Sequence, residues 1–142
     1  MPQKYLSAVR EKGQTVNRLF TFLGARLSSA GAGKAVIVAP VSTDFSQGGG
    51  MVAGGILATL ADEAMAHAVL SLLPEGDAAV TAEMNVRYLR GADPGKGGEI
   101  TASAGIVKNG QSLIVAESEV RDGRDRLLAT AGATFYVIKK KK

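Results

Sequence analysis

The stretch GGILATLADEAMAHAVLSLL, residues 54–73, decides the fold. Alanine and leucine dominate it and Pro74, Glu75 and Gly76 stop it, so the spacing predicts one long helix. At about 100° per residue, apolar side chains occur all round its axis: Ile56 with Leu60, Leu57 with Ala64, Ala58 with Met65, Leu70 with Leu73. Such a helix has to be enclosed. Gly54, Gly55 and the alanines at 58, 61, 64, 66 and 68 carry little bulk, so the enclosing elements can approach closely. The wider apolar run Met51–Leu73 nears the length that crosses a bilayer, but Asp62 and Glu63 near its middle are expensive in hydrocarbon. The expectation is a buried helix and no membrane association.

Downstream of Gly76 the pattern changes to four short β-prone runs, AVTAEMNVRYL, EITASAGIVK, SLIVAESEV and LLATAGATFYVI, divided by GADPGKGG, NGQ and RDGRD. Alternation puts Ala82, Met84, Val86 and Tyr88 on one face of the first run, and Ile100, Ala102, Ala104 and Ile106 on one face of the second. Upstream, FLGARL and AVIVAPV flank SSAGAGK, which reads as a hairpin turning within the Ser/Gly segment. Tyr5, Leu6, Val9, Val16, Leu19 and Phe20 are spaced for an amphipathic helix over residues 3–20, interrupted at Gly13. Hairpin-length turns cannot supply parallel crossovers, so the class is α+β: an antiparallel sheet around one dominant helix, with an additional N-terminal helix. We expect one domain over residues 1–138 and a basic tail over 139–142.

Composition narrows the chemistry. The 142 residues are 46% hydrophobic and 21% charged, which suits one folded domain. With no Cys there is no thiolate nucleophile or zinc-thiolate site, and a single His67 excludes any site needing two imidazoles; no spacing suggests a metal cluster. The net charge of +4 is carried by Lys139 to Lys142: removing four from the 17 basic residues leaves 13, against 13 acidic ones. The body is therefore neutral, and nucleic acid is not an expected partner. The N-terminal sequence MPQKYLSAVREKGQ lacks the apolar segment of a secretory signal, so a cytoplasmic location is expected.

The two adjacent acids on the long helix stand about 100° apart, so they cannot share one microenvironment. Glu63 has His67 four residues later, the spacing of a helical pair that would neutralise and hydrogen-bond it. Asp62 has Thr59 and Ala66 on its side and no basic residue at the next helical spacings. The residues alone leave open whether Asp62 is functional or structural. QGGGMVAGG leads into the helix N-terminus, where unpaired N–H groups and the helix dipole can hold a developing oxyanion. Gly48, Gly50 and Ala53 also satisfy a permissive GxGxxA pattern, but the later strands lack the intervening helices of a dinucleotide fold. There is no GxSxG, no phosphate-loop GK[ST] and no serine placed to form a triad with His67.

The order GGILATLADEAMAHAV, AVTAEMNVRYLR, GGEITASAGIVKNGQSLIVAESEVRDG and RLLATAGATFYVI resembles the PaaI-like acyl-CoA thioesterases of the hotdog fold, over roughly residues 20–138. The resemblance implies one long helix inside a curved antiparallel sheet, sites at a protomer interface, a homodimer or homotetramer, and an acyl-CoA or related thioester as substrate. Coenzyme A enters as part of that substrate, and no separate cofactor is needed. It also implies roles. Asp62 matches the helix acid that serves as nucleophile or general base. Gly54 matches the residue whose backbone N–H polarises the thioester carbonyl. Gln47, fifteen residues before Asp62, falls where relatives keep an Asn or Gln near carbonyl and water. Thr81 resembles the Ser or Thr supplied across the interface to orient water, although alternation sets it with Glu83, Asn85 and Arg87, so a twist at the strand end must turn it inward. Arg87, Arg90, Lys96 and Lys108 could meet coenzyme A phosphates.

The chain departs from the family pattern in two places. Many relatives read HGG where Ala53, Gly54 and Gly55 stand, and the Pro that commonly follows YLR is replaced by Gly91. Loss of the His removes a donor to the thioester while leaving the backbone amide and the carboxylate. The expected function is thioester hydrolysis; the alternative is a non-catalytic hotdog protein that binds acyl-CoA or another small ligand.

Overall fold

In the computed structural model, which describes residues 2–142, the long helix runs from Gly54 to Leu70 and is packed against all six strands (α3). It is preceded by α1 (Pro2–Val9), α2 (Arg18–Leu23), β1 (Arg26–Gly31) and β2 (Lys34–Pro40), and followed by β3 (Ala78–Tyr88), β4 (Glu99–Asn109), β5 (Leu113–Arg121) and β6 (Leu127–Ile138). All pairings are antiparallel, in the order β1-β2-β4-β5-β6-β3, so β1 and β3 are the two edges.

The small residues of the sequence explain the close wrap. Ala61, Ala64 and Ala68 of α3 are wholly buried, and they meet an inner sheet face that is itself rich in alanine: Ala35, Ala102, Ala116, Ala129 and Ala133. Larger side chains such as Ile37, Leu60, Met65, Ile100, Ile114 and Phe135 fill the space between. Ile100, Ala102 and Ala104 face inward as alternation requires. The enclosure is not complete, however. Gly55, Thr59, Asp62 and Ala66, close together in azimuth on α3, stay exposed or half-buried, so the helix keeps one open stripe.

Four local expectations change. The N-terminal segment forms two short helices because the chain reverses between them, with Gly13 at φ 74°; Asn17 starts the second by accepting from the Phe20 N–H at 3.1 Å. Phe22 and Leu23 belong to that second helix, and Ser28–Gly31 belong to β1. The β1–β2 turn is only Ala32–Gly33, at φ 51° and 77°, the left-handed pair whose twist matches the strands of a two-residue hairpin. α3 ends at Leu70, capped by Ser71, whose Oγ donates to the Ala68 carbonyl and accepts from the Gly33 N–H. The lysine tail is tied at its root: the Lys140 N–H donates to Asp77, and Lys139 Nζ lies 3.4 Å from the same carboxylate. Among the described residues no helix is long and apolar enough to cross a membrane.

Candidate active site

Asp62 sits half-buried at the side of α3 that faces β3, and its Oδ1 accepts a hydrogen bond from Thr81 Oγ1 at 2.8 Å. Thr81 reaches it because β3 is bulged at Ala82. Thr81 pairs with Phe135 while Glu83 pairs with Thr134, so Ala82 is an extra residue. The bulge resets the alternation: Thr81 shares the helix-facing side with Met84 and Val86, opposite the inward-facing Phe135, Ala133 and Ala131. A bulge, not a strand-end twist, turns Thr81 inward, and Ala82 leaves the face it was expected to share. The hydroxyl that reaches Asp62 lies on the fourth residue of β3.

At the helix start, Ala53 is the N-cap and offers no side-chain hydrogen bond, so the first N–H groups of α3 have no side-chain cap. Tyr88 crosses this end: its hydroxyl donates to the Gly54 carbonyl at 2.9 Å. A Cβ on Gly54 would lie 3.0 Å from the Tyr88 ring, so glycine is what admits that crossing. Alternation placed Tyr88 correctly on the strand but gave no sign that it pins the helix.

Gln47 lies in a closed loop whose mouth is the Ser46–Val52 bridge. Its backbone N–H donates to Met51 O at 2.8 Å and its carbonyl accepts from Gly50, while its side-chain oxygen accepts from the Gly49 N–H. The structure therefore commits the Gln47 side chain to its own loop and does not join it to Asp62. The three basic residues Arg87, Arg90 and Lys108 are not brought together either. Arg87 pairs with Thr130, and Lys108 with Val115 near the far end of β4; Arg90 lies beyond β3, in a cleft that also contains Glu99 from the start of β4. Nine residues of strand at about 3.4 Å each separate Glu99 from Lys108, about 30 Å.

Glu63 occupies the opposite flank of the stripe. His67 is 2% exposed; its Nδ1 bonds the Glu63 backbone carbonyl at 2.6 Å, and its Nε2 lies 2.9 Å from the Tyr5 hydroxyl, which in turn accepts from Asn17 Nδ2 at 2.8 Å. With Nδ1–H donating to the carbonyl, Nε2 accepts from Tyr5 and every member of the chain is satisfied. The expected carboxylate–imidazole hydrogen bond is thus replaced by one to the main chain, and the Glu63 carboxylate is 3.7 Å from Nδ1. Burial lowers the His67 pKa. Burial, then the neighbouring Asp62 charge, pushes the Glu63 carboxyl up to about 7. This pair works by sharing a buried network, not by opposite charge.

Among the described residues no group of three His, Asp or Glu side chains could hold a metal ion. The arrangement that remains is a carboxylate bonded by a hydroxyl on the open stripe, about two helical turns from an uncapped helix start. Residues 49–129 match the family model described as Thioesterase superfamily. A Halobacterium salinarum protein carried under the name Putative esterase is 39% identical over 107 residues, 72% of this chain and 68% of that one. A Listeria monocytogenes 1,4-dihydroxy-2-naphthoyl-CoA hydrolase is 28% identical, covering 84% of this chain and 95% of its own. The solved structure of the Escherichia coli PaaI protein from the phenylacetic acid degradation operon superposes with a TM-score of 0.84 at 25% identity, over 99% of this chain and 95% of that one. The long helix enclosed by a six-stranded antiparallel sheet is the hotdog fold, and the chain belongs to the thioesterase superfamily.

Proposed function

We propose that the protein hydrolyses acyl-CoA thioesters, with Asp62 as the reacting carboxylate. The observation that carries this reading is the Thr81–Asp62 hydrogen bond beside the open stripe of α3, because it fixes one carboxylate oxygen and leaves the other for water or a thioester. In the general-base form, Asp62 takes a proton from water as the water oxygen bonds to the thioester carbonyl carbon. The oxyanion formed is held by the Gly54 N–H at the uncapped helix start, and collapse expels the thiolate, which accepts a proton to leave as thiol. In the nucleophilic form Asp62 attacks the thioester carbonyl carbon, the C–S bond breaks and the thiolate leaves as thiol once protonated, and water then cleaves the resulting anhydride to the free acid and the Asp62 carboxylate. Tyr88 supports either route by fixing the Gly54 peptide from its carbonyl side. Gln47 enters only if its loop releases the side chain.

The chemistry named for the Listeria relative supports a coenzyme A thioester as the substrate class. No metal or organic cofactor is part of the proposal. The open edge of β3, where Val80 and Tyr88 are half-exposed, together with the open stripe of α3, fits a homodimer or homotetramer that completes the site. A cytoplasmic setting belongs to the same reading. Thiol release from short, long and aromatic acyl-CoA esters, with Asp62→Asn as the paired control, tests it. Turnover lost in the variant supports hydrolysis by Asp62. Ester binding without release in the wild type would replace it with the ligand-binding reading, Ala53 being where the helix start lacks a side-chain donor.

A further inference from the structure

The two ends of the sheet are charged differently. Where α3 begins, basic side chains are paired: Arg26 with Glu99 at 2.7 Å and Arg126 with Asp122 at 2.8 Å. Where α3 finishes, Lys34 opens β2, Lys108 is the second-last residue of β4, and Lys139 to Lys142 follow β6. Glu75 and Asp77, on the connection from α3 to β3, are already engaged, Glu75 by the Gln3 N–H at 3.2 Å and Asp77 by the Lys140 N–H and Lys139 Nζ. Lys34, Lys108, Lys140, Lys141 and Lys142 are exposed and form no ion pair among the described residues. Apolar side chains gather at the same end. On the sheet face turned away from α3, Leu113 of β5 and Val80 of β3 both pair with Tyr136 of β6, and Ile138 stands two residues further along. The four are half-exposed and form one patch across three strands, and Lys108, which pairs with Val115, is the diagonal neighbour of Leu113.

An apolar patch rimmed by cations matches one kind of surface. Lysines near an anionic lipid surface gain from its negative potential, while exposed apolar side chains and a tyrosine ring leave water at the boundary between headgroups and acyl chains. A nucleic acid duplex satisfies the lysines alone. A second copy on a twofold axis would set each lysine cluster against its own copy. We propose that the end of the sheet where α3 finishes docks on an anionic lipid surface, with Leu113, Tyr136 and Ile138 entering the headgroup region and Lys108, Lys141 and Lys142 meeting lipid phosphates. The contact is peripheral. It departs from the expectation of no membrane association, which rests on the buried α3 and does not bear on the sheet. Further along the same face stand Glu83, Glu117 and Glu119, so the molecule docks by this end and does not lie flat. Gly54 is then at the far end of α3, 17 residues at about 1.5 Å each, and its N–H stays open to a thioester.

Flotation of the full chain with vesicles of phosphatidylcholine, and with vesicles of an equal mixture of phosphatidylcholine and phosphatidylglycerol, tests this with no ester present, so the outcome is independent of the hydrolase reading. The wild type is expected on the mixed vesicles and not on phosphatidylcholine alone, with less bound as salt is raised. Each lysine contributes about fivefold, so Lys108→Gln/Lys141→Gln/Lys142→Gln should weaken binding about a hundredfold. That variant leaves Lys139 and Lys140 on Asp77. Leu113→Thr/Ile138→Thr keeps side chains that suit a strand and should weaken binding about tenfold. Absence of the wild type from the mixed vesicles overturns the proposal. Binding that the apolar variant leaves unchanged overturns it as well: the lysines then act alone, and a duplex oligonucleotide should bind as tightly as the vesicles. A wild-type oligomer that Leu113→Thr/Ile138→Thr dissociates in vesicle-free buffer, read by analytical ultracentrifugation, also overturns it and makes the patch a contact between copies.

Discussion

Asp62 and Glu63 are neighbours in the chain, but the two flanks of α3 they occupy are built differently. On the Asp62 flank, a strand bulge delivers a hydroxyl to the half-buried carboxylate, on a stripe that stays partly open. On the Glu63 flank, Tyr5, Asn17 and His67 form a closed chain of hydrogen bonds that binds the N-terminal helices to α3. The titratable groups around the Glu63 carboxyl are Asp62, Tyr5 and His67, none of them a fixed cation, whereas the open flank leaves room for a reactant. A step of 100° along a helix is therefore enough to place one acid on an open stripe and its neighbour beside a buried network.

The largest expected effect breaks the comparison directly. Asp62→Asn should lower kcat for thiol release by about a thousandfold, within the range for a lost base or nucleophile. Glu63→Gln should leave kcat within a few fold. Steady-state kinetics on one ester decides between them, and equal losses in both variants would show that the flanks do not divide the labour.

The next effect is one of stability and runs with pH. Raised to about 7 from an ordinary 4.5, the Glu63 carboxyl holds its proton more tightly in the folded state than in the unfolded one. Its contribution is fully present below the unfolded value and is lost as pH rises through the folded one, up to roughly 3 kcal/mol by about pH 8. His67 runs the other way: its lowered pKa makes acidification below its ordinary 6.5 destabilising. Glu63→Gln removes the first of these alone. Denaturant titrations should show the variant more stable than wild type near about pH 8, by up to roughly 3 kcal/mol, and no different near about pH 4. An equal difference at both pH values would mean that the carboxyl does not titrate in this window.

The same contrasts separate what the residues disclose by themselves from what only the fold reveals. The enclosure of α3 was legible because Ala61, Ala64 and Ala68 repeat at helical spacing with apolar residues all round them. The inward row Ile100, Ala102, Ala104 was legible because β4 alternates without interruption until its bulge beyond Ile106. Thr81 was legible only as a resemblance. A single inserted residue flips every side chain before it relative to those after it, and Ala82 carries no chemical mark of being that residue. The N-terminal segment failed for a different reason. Its apolar spacing is the same for one broken helix as for two helices separated by a reversal, and the tertiary contact that fixes the answer, Tyr5 to His67, spans 62 residues. At Gln47 the resemblance supplies a position, while the hydrogen bond to Gly49 sets the side chain's direction.

A smaller effect sharpens the Asp62 flank. Thr81→Val keeps the branched shape that suits β3 and removes only the hydroxyl, so it should cost about ten- to a hundredfold in kcat, with little change in KM. Thr81→Ser should recover most of it. Failure of the serine variant to recover activity would make the side chain's role one of packing against Phe135, and not one of orienting the carboxylate.

The smallest effect belongs to the Glu63 flank. Tyr5→Phe keeps the ring, whose centroid lies 5.6 Å from that of the tilted His67 ring, and deletes the one oxygen shared by Asn17 and His67. Asn17 retains its hydrogen bond to the Phe20 N–H, so α2 keeps its cap and the loss is confined to the network. Two part-buried partners are left unsatisfied, which should lower stability by about 1–2 kcal/mol in chemical denaturation. Because that network touches α3 on the side away from Thr81, kcat should barely change. If Tyr5→Phe cut thiol release as deeply as Thr81→Val while stability held, the N-terminal helices would have to act on the reacting carboxylate through the helix, and the division between the two flanks would give way to a single coupled site.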